Sequence, residues 1–213
     1  SSDVCSSDLK HKETKHMIWF LLACIVSFIP CLAFYRYLRK RMGNGEAEYK
    51  KLSDKALRQG ALSIFLVILL SGLSYVLLRL TKLEAKSPLL YQALYTFLVL
   101  AFMEELVKFL AFRKVLKNTE VPCSWVDVTI LMTSVGIGFG LIESITYAVG
   151  ASVPVVLVRG ICIPHAGYGF IVGYFYGKAM KTGKSFYQGI GFALSSAQQA
   201  SLYQTAKKHP VRS

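Results

Sequence analysis

A chain of 213 residues is long enough for one domain. Its hydrophobic share of 54% and mean hydropathy of +0.44 come from long apolar blocks rather than amphipathic spacing, which excludes an ordinary soluble fold. The formal net charge of +13 is gathered in short Lys- and Arg-rich segments between those blocks, where it reads as a topology signal, and with no recognisable binding motif the chain is not expected to bind nucleic acid.

Residues 1–16 are set apart as a non-native or disordered segment. Its first nine residues, SSDVCSSDL, resemble a translated sequencing-adaptor remnant and are excluded from fold reasoning. The first span runs from Met17 to Leu38, with Trp19 at one end and Tyr35 and Tyr37 at the other, as the interfacial aromatic belt requires. The basic segment 39–59 follows. Gly60 to Leu80 is the second span, and Thr81 to Pro88 a short outer loop.

The third span, Leu89 to Arg113, holds Glu104, Glu105 and Lys108 at membrane depth. Each such charge costs about 2.5–3.5 kcal/mol on insertion scales, so it calls for a partner or a function. Helical spacing of i,i+4 and i,i+3 lets Lys108 reach both carboxylates. Two carboxylates sharing one cation are the arrangement from which a proton-transferring acid or base is made. The alternative is a self-neutralising Glu105–Lys108 pair with Glu104 reaching the surface.

After Val121-Pro122 come a fourth span, Trp125 to Gly150, a fifth, Val153 to Lys178, and a weaker sixth, Phe186 to Thr205. In the fourth, Gly136, Gly140, Glu143, Ser144 and Tyr147 form one stripe, and the GxxxG invites a close neighbour, turning Glu143 away from lipid. The fifth carries Arg159 and His165, with Gly169, Gly173 and Gly177 continuing the His165 face at i+4 steps and Pro164 able to kink the helix. The sixth clusters Ser195, Ser196, Gln198, Gln199 and Ser201, polar enough to line a bundle interior. Alternation puts the basic loops 39–59, 113–124 and 178–185 on one side. The expected fold is therefore all-α, a polytopic integral membrane bundle of about six helices over residues 17–205 with a tail at 206–213. Cys5, Cys24, Cys31, Cys123 and Cys162 contain no CxxC pair and read as small hydrophobes rather than a disulfide framework or zinc site.

Together these residues resemble the PrsW-type intramembrane proteases, which are distantly similar to the CAAX prenyl proteases. The likeness rests on Glu104-Glu105 with Lys108, on Gly138-Phe139-Gly140 with Glu143 and Tyr147, and on Arg159 and His165 followed by Gly173-Tyr174. It implies an endopeptidase of the bacterial cytoplasmic (inner) membrane that cuts membrane-anchored proteins such as anti-sigma factors. Glu104 and Glu105 would be its catalytic pair, Glu143 and His165 would complete the site, and Lys108, Tyr147 and Arg159 would support it. Two positions depart from the family: Ser144 stands where Asn is common, and Ala200 where a second His is typical, so that neighbouring Gln199 or a region beyond residue 213 would serve in its place.

The preferred chemistry is metal-free, with one glutamate of the pair activating water and His165 polarising the carbonyl or protonating the amine. Zinc held by Glu143 and His165 is the alternative. The rival functions are a proton-coupled transporter using the same residues as a relay, and a catalytically inactive scaffold that binds transmembrane helices through its glycine faces. The span boundaries place Glu143 about 10 Å and Glu104 about 24 Å below the outer edge, a mismatch for a shared site.

Overall fold

A computed structural model of the chain describes the backbone of residues 28–150 and 163–208, with positions 17–18, 21–22 and 25, and side chains through 145 and over 164–201. Every described element is helical. The first helix, α1 (residues 28–41), turns through Met42–Gly45 into α2, Ala47–Leu80. The turn is tied to the bundle where the Gly43 N–H donates to Asp127 Oδ1 at 2.9 Å. At 34 residues α2 is about 50 Å long, well beyond the ~30 Å hydrocarbon core. The basic segment expected as a loop is thus largely the first turns of this helix, with Leu52, Ser53 and Ala56 buried beneath its charged face.

A short helix α3 (Leu83–Lys86) leads into a long rod in three parts: α4 (Pro88–Leu94), a π-helical stretch Tyr95–Phe102, and α5 (Met103–Lys117). The i→i+5 bonds of the π stretch add a residue per turn, so Glu104 and Glu105 are rotated from where an unbroken α-helix would place them. Ser71 Oγ braces the widened segment by donating to the Val99 carbonyl at 3.0 Å. Beyond it lie α6 (Trp125–Gly150), α7 (Ile163–Thr182) and α8 (Phe186–Lys208).

The helix at the centre is α6, which packs most extensively on α7 and α2. Its apolar stretch is 78% buried by the other helices, against 17% for α2, so α6 is enclosed while α2 turns outward. Leu62, Phe65, Ile68, Leu69 and Leu73 of α2 are exposed, an apolar surface suited to lipid rather than water. These two are the described helices long and apolar enough to cross a membrane by length and composition. The expected third span is divided among α4, the π-helical stretch and α5, of 7, 8 and 15 residues, each too short to cross alone, and part of the fifth lies at 151–162, outside the described residues.

Backbone approaches at glycine set the register. A Cβ on Gly60 would meet the Val135 carbonyl oxygen at 2.0 Å, and one on Gly138 the Leu57 carbonyl oxygen at 2.0 Å, so α2 and α6 interlock reciprocally. On the other side Gly136 meets His165, Gly169 meets Met132, Gly173 meets Thr129 and Gly177 meets Trp125. The descending order makes α6 and α7 antiparallel. Below the site, Phe112, Val115, Leu131, Met132, Val135 and Val172 form the main core.

Candidate active site

Side chains on a helix lean toward its N-terminus, so on antiparallel α6 and α7 they lean toward each other. With Gly136 bringing the His165 backbone close, Glu143 reaches back and His165 reaches forward, and Glu143 Oε2 pairs with His165 Nε2. From the third direction α5 delivers Glu104, which is 8% exposed. One donor atom each from Glu104, Glu143 and His165 lies within 4.8 Å of the others. Those residues come from three helices. The expected depth mismatch does not separate them: the donor atoms meet within 4.8 Å, and counted from the ends beside the 113–124 segment Glu104 is 13 residues from Lys117 and Glu143 18 from Trp125, about 20 and 27 Å, half the expected gap.

The adjacent glutamates divide. Glu105 is fully buried and bonds Lys108 through Oε1, one helical turn on and equally buried. Lys108 extends beyond the pair to His165 Nδ1 at 3.3 Å, holding the ring so that Nε2 faces Glu143. Phe139 and Tyr168 close over the ammonium, with ring centroids 4.8 and 5.6 Å from Nζ. Glu104 instead accepts a hydrogen bond from Gln199 Nε2 on α8. Of the two carboxylates that Lys108 was expected to reach, it bonds Glu105, and it links that residue to the histidine. Arg159 and the Tyr147 side chain lie outside the described residues.

Of two further contributors, one had a suggested role. Gln199, named as a stand-in for the histidine missing at Ala200, is 3% exposed and donates to Glu104. Tyr168 was not singled out, although i+3 spacing from His165 puts it on the same face. Several buried polar atoms here have no hydrogen-bond partner among the described residues, namely Glu105 Oε2, Tyr168 Oη, Ser195 Oγ, Ser196 Oγ and Gln199 Oε1. Unpaired buried groups are costly, and a polar ligand or water would relieve them.

Two carboxylates and an imidazole are a donor set that zinc accepts, and three protein donors leave the open position that catalytic zinc sites keep. The family whose model matches the chain is described as PrsW family intramembrane metalloprotease, over residues 50–202. The matched stretch contains every residue of the cluster. No curated protein and no solved structure matches the chain.

Proposed function

Because the chain belongs to the PrsW family of intramembrane metalloproteases, we propose that it is an endopeptidase cleaving membrane-anchored proteins at the cluster of Glu104, Glu143 and His165. The observation that carries this reading is their convergence, from three helices, to within 4.8 Å. Glu104, Glu143 and His165 would hold a divalent ion such as zinc, which when bound supplies Lewis acidity and a water of lowered pKa. This reading replaces the metal-free preference, since the donor set joins Glu104 to the Glu143 and His165 considered from sequence.

Glu105 is then the general base. Lys108 holds Oε1, while Oε2 is buried and has no partner among the described residues, so it can take the proton of the attacking water and return it to the departing amine. Lys108 keeps His165 in place, and Gln199 orients Glu104. The polar centre sits within a bundle of about six spans in the bacterial inner membrane. Membrane-anchored regulators such as anti-sigma factors are the substrate class we favour.

Purified protein in liposomes with single-span peptides tests this. New peptide termini should appear by mass spectrometry, vanish on chelation and return with zinc. Intact peptides alongside glutamate-dependent proton flux would instead support the transporter, and intact peptides that are bound but not cut the scaffold.

A further inference from the structure

The carbonyl oxygen gains charge during peptide hydrolysis, and a hydrogen-bond donor there adds to whatever an ion supplies. His165 is poorly placed to provide it, because Nε2 is engaged by Glu143 and Nδ1 lies 3.3 Å from Lys108 Nζ. Lys108 is itself committed to Glu105. Tyr168 lies one turn beyond His165 on α7, its ring 5.8 Å from the imidazole and edge-on at 88°. It is 3% exposed, and its hydroxyl has no hydrogen-bond partner among the described residues. The Lys108 ammonium lies 5.6 Å from the Tyr168 ring centroid, so the ring faces the same buried centre. A phenol hydroxyl is a hydrogen-bond donor at neutral pH.

We propose that Tyr168 is a catalytic residue that donates a hydrogen bond to the scissile carbonyl oxygen. This rests on the peptidase reading above. As the water oxygen bonds to the carbonyl carbon, Glu105 takes a water proton and the carbonyl π pair moves to oxygen, where the Tyr168 O–H meets it without giving up its proton. The pair then returns to re-form C=O, the C–N bond breaks with its electrons going to nitrogen, and nitrogen receives the proton from Glu105. The two unpaired groups, Glu105 Oε2 as acceptor and Tyr168 Oη as donor, are the complement of the water and the carbonyl.

The test is Tyr168→Phe in proteoliposomes, with kcat, KM and detergent unfolding measured beside wild type. Loss of one such donor lowers kcat by about 10²–10³-fold, with KM within about twofold of wild type. The unfolding midpoint should hold or rise, because Phe removes an unpaired buried hydroxyl. A variant with wild-type kcat overturns the role of Tyr168 alone, as does a kcat loss accompanied by a lowered midpoint, which marks a structural tyrosine. A wild-type protein that cuts no peptide overturns the peptidase reading itself.

Discussion

Lys108 controls the charge balance at the buried centre, since it and Glu105 are both 0% exposed and each is the other's counter-ion. Removing one member of such a pair strands the other, at about 3–5 kcal/mol, whereas replacing both with apolar groups is often close to neutral. Lys108→Met should therefore lower stability in detergent by that amount, and Lys108→Met with Glu105→Leu should recover most of it while remaining inactive. Equal stability of the single and double variants would contradict the pairing. The pair itself was legible from i,i+3 spacing. The contact of Lys108 with His165, 57 residues away, was not, because local periodicity carries no information about which helices meet. Gln199 was named from sequence as a stand-in for the missing histidine, but its pairing with Glu104, 95 residues earlier, was hidden for the same reason.

Two features of the elements position these residues. At Gly136 an added Cβ would lie 2.2 Å from the His165 carbonyl oxygen, so Gly136→Ala must push α7 away just where it presents the histidine. Overpacking of this kind costs about 1–3 kcal/mol, and a displacement near 1 Å costs about 10²-fold in rate. Cleavage should thus fall far more than the unfolding midpoint, and a fully active Gly136→Ala would show that the close approach is not needed. The glycine faces were readable as i+4 steps; the π stretch was not, because YTFLVLAF is nearly uniformly apolar and gives no register. At the other end of the bundle, Asp54 ties α2 to α1 through Arg39, at 2.8 and 2.7 Å, and Tyr35, at 2.6 Å. Burial alone would raise the Asp54 carboxyl, but the Arg39 and Tyr35 hydrogen bonds outweigh it and hold it below its ordinary 3.8. A depressed carboxyl contributes stability that is complete above its unfolded value and lost as pH falls through the folded one. Wild type should then lose more stability than Asp54→Asn on acidification below about pH 4, by a small margin because both side chains are partly exposed. Parallel pH curves for the two proteins would remove Asp54 from the acid response.

At the scale of the whole molecule, the apolar blocks and basic segments made a helical membrane bundle legible, because backbone groups in lipid must bond within helices. That α6 is central and α2 peripheral was not readable, since both are apolar and hydropathy does not distinguish lipid from protein contact. The topology predicts that cysteines placed in 39–59 and in 113–124 are labelled from the same side of the membrane; labelling from opposite sides would contradict it. The centre itself depends on three helices meeting, and the most direct test is cleavage of a single-span peptide by wild type beside Glu104→Gln, Glu105→Gln, Glu143→Gln and His165→Gln in liposomes. Each variant should insert and fold yet cut at least about 10²-fold more slowly; undiminished cleavage by folded variants, or none by wild type, would contradict a peptidase centre at this cluster.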